Sequence, residues 1–360
     1  MIVVAIITSL LIGMLLIYLI IFQLGIRSSK ISGEKSVPVS VIIAARNEEK
    51  NIKDCLTSII DQNYPNFEVI LIDDHSTDKT ISISQTLRLE FPDLQIIRAK
   101  NHGKKFAIQQ GIHQAQNEYL LFTDADCQPR SANWISKMIS YFDQETSFVL
   151  GYSPYRSKRN LTNYLQRYET LLTACLYVSA VHFYKPYMAV GRNLAYRKSV
   201  FLKSDQFQNH LDILSGDDDL LIQQMATLQN TKICLDTDAF VDSKPKQNLK
   251  QLFRQKLRHI STADHYKSKD RFLLGLFYTA RLGTLTGFFF LIILTDQQLI
   301  ATLSILGYFI LLQIAFFHPC KKLGLSKINW YIPLLEVLLV IFQLGLFIYK
   351  LFSSKKIRWK

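Results

Sequence analysis

The chain of 360 residues lacks the devices of several enzyme classes. Its five cysteines (Cys55, Cys127, Cys175, Cys234, Cys320) lie far apart with no C-x-x-C pair, so neither a zinc framework nor a disulfide scaffold is expected, and a reducing compartment is the default. A phosphate-cradling glycine loop is missing too: Gly103-Lys104 is followed by Lys105 rather than Ser or Thr and has no upstream glycine, which excludes a P-loop enzyme. The first strand-like run leads into Ala44-Ala45-Arg46-Asn47, where a nucleotidyltransferase would carry glycines. Basic residues outnumber acidic ones, 42 to 29. They do not cluster with aromatics on the polar central part, so no nucleic-acid partner is expected.

Charge is absent from Met1 to Gly25 and sparse from Phe272 to Phe352. An apolar run of about 20 residues suffices for a helix to cross the hydrocarbon core, so a purely soluble protein is excluded. Residues 1–26 read as an uncleaved membrane anchor, because Arg27, Lys30 and Lys35 follow the run and place its end on the cytoplasmic side. Residues 272–352 read as a membrane region of two or three helices, and 353–360 as a basic tail with Lys355, Lys356, Arg358 and Lys360. Arg281 interrupts the first of these stretches at a cost of about 2.5–3.5 kcal/mol, so that stretch either crosses or begins as an interfacial helix. With three crossings the Lys321, Lys322 and Lys327 loop falls inside and the basic tail outside; with two, the reverse.

Between these regions, residues 36–271 alternate short β-branched runs with helical stretches, the pattern of an α/β domain with a mostly parallel sheet. Strands are expected at 39–44, 67–72, 94–99, 119–122, 148–151, 188–190 and 232–235, and helices at 51–61, 79–90 and 105–115. Open parallel sheets bind ligands at the carboxyl ends of their strands. Polar clusters fall there: Ala44-Ala45-Arg46-Asn47-Glu48 after the first strand and Asp73-Asp74-His75-Ser76-Thr77-Asp78 after the second. Asn47, Ser76 and Thr77 suit helix caps equally well. Two adjacent aspartates do not, and a carboxylate there is suited to the imide N–H and ribose hydroxyls of a nucleotide. Asp124 and Asp126 follow the fourth strand; in extended backbone, residues two apart point the same way, and two hard oxygen ligands suit a divalent cation on a substrate diphosphate. Asp217, Asp218 and Asp219 hold more negative charge than a helix start uses, which leaves one as a general base. Gln255, Arg258 and His259 share a helix face, either at a leaving diphosphate or against lipid headgroups.

In this order the clusters resemble the family 2, GT-A-fold glycosyltransferases, especially the membrane-embedded branch with cellulose, hyaluronan and poly-N-acetylglucosamine synthases and ceramide glucosyltransferases. The resemblance runs from about Val39 to Tyr266. It implies nucleotide contacts from Ala44, Arg46, Asn47, Glu48, Asp73, Asp74, Lys104, Lys105 and Asp124, and Mg²⁺ or Mn²⁺ on Asp124 and Asp126. Gly191-Arg192-Asn193-Leu194-Ala195-Tyr196-Arg197 is similar to the family's G-x-N-x-A-Y-R stretch near the acceptor. The resemblance further implies an acidic base, for which Asp218 is favoured and Asp217 close behind, and a catalytic Gln255/Arg258 pair in the family's Q-x-x-R-W, with Arg258 and Lys104 or Lys105 offsetting leaving-group charge.

The reaction so implied is an inverting transfer from a nucleotide-sugar, expected to be a UDP-sugar, to a lipid or lipid-linked glycan at the cytoplasmic face of the cell membrane, in a multi-pass protein in contact with membrane lipids. One position departs from the resemblance: His259 stands where the family has Trp. Imidazole offers less area for stacking on a sugar ring, so addition of one or a few sugars is expected and a processive polysaccharide synthase is the alternative. An inert α/β domain on a membrane scaffold is the non-catalytic alternative.

Overall fold

The computed structural model describes residues 2–33, 35–208 and 216–353; Ser215 and the tail residues Lys355, Lys356, Arg358 and Lys360 lie outside them. After helix α1 (Ile2–Gly25), strands and helices alternate as β1 (Val39–Ala45), α2 (Ile52–Ile60), β2 (Phe67–Asp73), α3 (Thr80–Glu90), β3 (Leu94–Arg98), α4 (Lys104–Gln114) and β4 (Tyr119–Asp124). Next along the chain are β5 (Cys127–Pro129), α5 (Trp134–Ile139), β6 (Phe148–Leu150), the long α6 (Leu161–Phe183), β7 (Leu194–Arg197), α7 (Lys198–Lys203), α8 (Asp219–Met225), β8 (Thr231–Ile233) and β9 (Val241–Ser243). The chain closes with α9 (Leu249–Ala263), α10 (Ser268–Leu294), α11 (Gln298–Lys322), α12 (Ser326–Asn329) and α13 (Ile332–Phe352).

Seven strands form one sheet in the order β3-β2-β1-β4-β7-β6-β8. Neighbours are parallel except at β7, which is antiparallel to both β4 and β6. Both faces are covered, so alternate residues of each strand feed two cores. Ile42, Ile70, Ile72, Leu120 and Phe122 pack with α4 and α6, while Val41, Ile43, Val69, Leu71 and Leu121 pack with α2 and α5. The expected strand at 188–190 is irregular backbone instead. Its amides turn to polar partners, Ala189 N–H donating to Asp219, and the ladder is taken up by the better buried Leu194–Arg197.

Among the described residues four helices, α1, α10, α11 and α13, are long and apolar enough to cross a membrane. The first three form a bundle in which Phe22 meets Phe277 and Phe316. Backbones approach closely where α10 carries glycine: a Cβ on Gly287 would lie 2.1 Å from Thr8 Oγ1. Arg281 does not face lipid. It is 2% exposed inside α10, donating from Nε (2.8 Å) and Nη2 (2.7 Å) to Glu336 of α13 and from Nη1 to Gln343 at 2.9 Å. Tyr168 Oη donates to the same carboxylate at 2.7 Å, tying α6 into the pair.

Candidate active site

Strand register sets the geometry. Ala44 is level with Ile72 on β2 and Asp124 on β4, and Ala45 with Asp73, so the first three polar clusters leave the sheet at one edge. The β1 and β2 loops are then laced together. Asn47, at φ 55°, accepts from Thr77 N–H at 2.8 Å and donates its own N–H to Ser76 Oγ at 2.9 Å. Asn47, Ser76 and Thr77 therefore join loops and do not cap α2 or α3, whose first turns begin after Asn51 and Lys79. Glu48 N–H donates to Thr80 Oγ1 at 2.7 Å, and burial raises the Glu48 carboxyl above its ordinary value, with Asp126 and Asp124 adding to the rise against the Asn51 hydrogen bond.

The two adjacent aspartates divide the work. Asp73 accepts from Ser76 N–H at 3.1 Å and shapes its own loop. Asp74 is 2% exposed; its Oδ1 accepts from Gly103 N–H at 3.0 Å, and Arg46 Nη1 stands 3.7 Å from Oδ2. Gly103 precedes α4 at φ +120°, and the next residue, Lys104, reaches the centre of the cleft. Lys104 Nζ is 2.9 Å from Asp124 Oδ1 and 3.3 Å from Asp217 Oδ2. Burial alone would lower this ammonium, but the Asp124 and Asp217 carboxylates hold it well above its ordinary value. Burial likewise disfavours the charged form of Asp124, and the Lys104 charge outweighs it, so that the carboxyl sits below its ordinary value and stays ionised. Lys105, one position on, is 4% exposed within α4.

Asp124 ends β4, while Ala125 and Asp126 lie in a turn, so the two aspartates do not converge through extended backbone. They converge because the turn folds back. Ligand atoms of Asp124, Asp126 and Cys127 lie within 4.8 Å of one another. Burial holds the Cys127 thiol well above its ordinary value, and a soft sulfur suits a hard divalent cation poorly, which leaves two hard carboxylates. Lys246 Nζ stands 3.9 Å from Asp126.

The acidic triplet occupies three environments. Asp217 faces Lys104. Asp218 Oδ2 accepts from Gly191 N–H at 2.6 Å and Oδ1 from Asp219 N–H at 2.9 Å, which fixes its plane. Gly191 is obligatory for that approach, since a Cβ there would lie 2.9 Å from Asp218 Oδ2. Burial, then the Asp217 charge, pushes the Asp218 carboxyl up to about 6 against the pull of Lys104. Asp219 turns away to Tyr266 Oη and Ala189 N–H. Asp217 and Asp218 line one cavity with Ala44, Lys104, Asp124 and Gly191; Asp219 does not.

On α9, Gln255 donates to Tyr155 Oη at 3.1 Å and accepts from Gln166 at 3.2 Å, so its amide holds α9 to α6 and to the wall of the cleft. Arg258 lies close enough to Asp124 to help keep it ionised. Arg192, to which sequence alone assigns no role, does the same; it is held by Ser153 (Nε to Oγ 2.8 Å) and stacks its guanidinium over Tyr155 at 4.9 Å. The one sequence signal for it is its place in the G-x-N-x-A-Y-R stretch. Asn193 in that stretch is structural, accepting from Trp134 Nε1 at 3.0 Å and donating to the Tyr152 and Ala239 carbonyls at 2.8 Å.

Similarity to known proteins covers the sheet and its loops. The family model for glycosyl transferase family 2 matches residues 40–204. Glycosyltransferase AglE of Haloferax volcanii is 30% identical over 183 residues, half of this chain and 58% of that protein. Poly-beta-1,6-N-acetyl-D-glucosamine synthase of Staphylococcus epidermidis is 36% identical over 92 residues (24% of this chain, 21% of that one), and beta-monoglucosyldiacylglycerol synthase of a Nostoc species 35% over 112 (30% and 24%). The chain thus spans less than two thirds of each of these relatives. Among solved structures, mannosyltransferase PcManGT from Pyrobaculum calidifontis, in complex with GDP-Man and Mn²⁺, superposes with a TM-score of 0.65 at 16% identity, covering 98% of this chain and 99% of its own. That likeness extends through the membrane helices and concerns the fold.

Proposed function

We propose, for a chain that belongs to glycosyl transferase family 2 through residues 40–204, that it transfers a sugar from a nucleotide-sugar, a UDP-sugar by our reading, to the hydroxyl of a lipid or lipid-linked glycan. The observation that carries this reading is the position of Lys104. One ammonium touches both Asp124, suited to a metal–diphosphate, and Asp217, beside the candidate base. Asp124 and Asp126 fit Mg²⁺ or Mn²⁺ in charge and hardness, and such an ion, when bound, neutralises diphosphate charge. The chain's own residues do the rest. Asp73 and Asp74 hold the loop that takes the base and ribose, with Arg46 and the Asn47–Thr77 lacing fixing its shape. Asp218 accepts the proton of the acceptor hydroxyl as that oxygen bonds to the anomeric carbon and the bond to the diphosphate breaks, inverting the centre. The electron pair leaves with the nucleoside diphosphate, whose charge Lys104, Arg192 and Arg258 offset. Gln255 positions α9.

The acceptor is a lipid in this reading because α9, which carries Gln255 and Arg258, packs its Phe253 against Phe342 and Tyr349 of the apolar α13. At 21 residues α13 is about 31 Å long, enough to span the bilayer core. Its two ends, however, both touch the catalytic domain: Tyr331 packs on Tyr164 of α6 with ring centroids 5.2 Å apart, and Lys350 Nζ lies 2.6 Å from Asp264, the residue closing α9. We infer that α13 lies along the interface while α1, α10 and α11 cross. The Lys321, Lys322 and Lys327 loop and the basic tail then share the cytoplasmic side, which satisfies the charge rule as neither three C-terminal crossings nor crossing by α11 and α13 alone does.

Incubation of membranes carrying the protein with a panel of labelled nucleotide-sugars, followed by mass spectrometry of lipid extracts, tests the activity. A new glycolipid made by the wild type and not by Asp124→Asn supports it; no labelled product from any donor refutes it. A fluorescent-protein fusion after the tail should be bright in the cytoplasm, and an active periplasmic-type phosphatase fusion there would refute the interfacial α13.

A further inference from the structure

The loops that hold Asp74 bring together a second set of ligands, chemically unlike the first. His75 follows Asp74 directly and His102 precedes Gly103, whose N–H already binds Asp74. One ligand atom from each of Asp74, His75 and His102 lies within 4.8 Å of the others. The two imidazoles face each other with centroids 3.9 Å apart. His75 is held at φ 56°, and its Nε2 is buried with no hydrogen-bond partner among the described residues. A buried ring nitrogen without a partner is costly, and its chemistry calls for a proton acceptor, a donor or a metal. His102 Nδ1 stands 3.7 Å from Asp74 Oδ1, too far for a hydrogen bond, so carboxylate and imidazole are juxtaposed without bonding.

We propose that Asp74, His75 and His102 form a transition-metal site, distinct from the all-oxygen pair Asp124/Asp126. Two imidazoles and one carboxylate are a ligand set suited to Zn²⁺ and its neighbours and poorly suited to Mg²⁺. Ligands of tetrahedral zinc stand about 3.3 Å apart, from metal–ligand lengths of about 2.0–2.1 Å. His102 Nδ1, now 3.7 Å from Asp74 Oδ1, needs to move by only a few tenths of an ångström to reach that spacing, and its side chain, 67% exposed, is able to close inward. The nearby Arg46 stands on the far oxygen, Asp74 Oδ2, and leaves the Oδ1 side to the two histidines. The existence of the site does not depend on glycosyl transfer. Its consequence does: if Asp74 takes the donor's base, zinc on Asp74 excludes the donor, making the enzyme inhibitable by Zn²⁺ while it requires Mg²⁺ or Mn²⁺.

The test uses the full chain purified in detergent without a histidine tag and stripped with chelator. Titration with Co²⁺ is followed through its visible absorption, and Zn²⁺ by displacement of the cobalt band. One cobalt per chain, displaced by Zn²⁺ and retained in Asp124→Asn/Asp126→Asn, is expected. His102→Ala, at an exposed position, should weaken it by at least about 10-fold, the lower end of what disturbing even an outer partner of a metal ligand costs. His75→Asn should do the same, because Asn tolerates the positive φ and so keeps the loop. Cobalt binding unchanged in both histidine variants, or lost only in the Asp124/Asp126 variant, overturns the proposal. These arms need no donor sugar, so failure of the transferase reading leaves them interpretable. Donor competition is read separately, as a rise in the donor's KM with Zn²⁺ that His102→Ala abolishes.

Discussion

If Asp218 is the base, the pH dependence of transfer carries the signature of its surroundings. An ordinary aspartate at 3.8 is nine-tenths ionised or more at pH 5. Asp218 is pushed up to about 6, first by burial and then by Asp217, which corresponds to about 3 kcal/mol of disfavoured charge. Only about one-tenth is then ionised at pH 5. Because the base must be unprotonated, kcat/KM for the acceptor at saturating donor falls as pH drops through 6 and stands about tenfold below its plateau at pH 5. Asp124 does not blur this limb, because Lys104 holds it below its ordinary value. Two variants move the limb in opposite directions. Asp217→Asn removes a like charge and carries it to lower pH; Lys104→Met removes the cation that lowers Asp218 and carries it higher. The assay is initial rate against pH from 5 to 8.5 in buffers of constant ionic strength. A profile flat to pH 5, or both variants shifting the limb the same way, would refute the assignment.

Asp124→Asn and Asp126→Asn should each abolish transfer and weaken donor binding measured by calorimetry, and EDTA should silence the wild type until Mg²⁺ or Mn²⁺ is restored; full activity in EDTA would contradict the metal reading. Gly191→Ala, which places a methyl 2.9 Å from Asp218 Oδ2, should lower kcat with little change in the donor's KM, and an unchanged kcat would show that the carboxylate's plane is unimportant. Arg281→Met or Glu336→Gln alone should destabilise the detergent-solubilised protein by about 3–5 kcal/mol, and Arg281→Met with Glu336→Leu by much less, since only the single changes strand a buried charge; additive losses in thermal or denaturant melts would count against a coupled pair. Product sizing should reveal a discrete glycolipid, and long polysaccharide from the purified protein would overturn the inference drawn from His259.

The sheet and its polar edge were legible because their causes are local. Runs such as Val39–Ala45 and Phe67–Asp73 are buried on both faces and so carry unbroken apolar residues, and the polar clusters after them must fall where parallel strands end. The sheet's single reversal was not legible. Leu194-Ala195-Tyr196-Arg197 reads like any short strand, and its direction is set by Phe122 and Phe148, far away in the chain. Long-range polar pairing escaped for the same reason. Arg281 was conspicuous as a charge in an apolar run, whereas Glu336, Gln343 and Tyr168, which make it tolerable, lie 55, 62 and 113 positions away and carry no local mark.

The acidic triplet shows how such distant partners decide chemistry. As sequence, Asp217, Asp218 and Asp219 are equivalent, and only their surplus of charge signals function. In the fold each is claimed by a different element: Asp217 by the ammonium at the start of α4, Asp218 by the Gly191 amide ahead of β7, Asp219 by the Tyr266 hydroxyl ahead of α10. Three like charges in series are costly together, and this division offsets the cost by a cation, by backbone dipoles and by a hydroxyl. It also ranks them. Asp217 is paired with Lys104, Asp219 is bound to a buried tyrosine, and Asp218, raised by its neighbour and fixed in plane by two amides, has the proton affinity that our proposal asks of a general base near neutral pH.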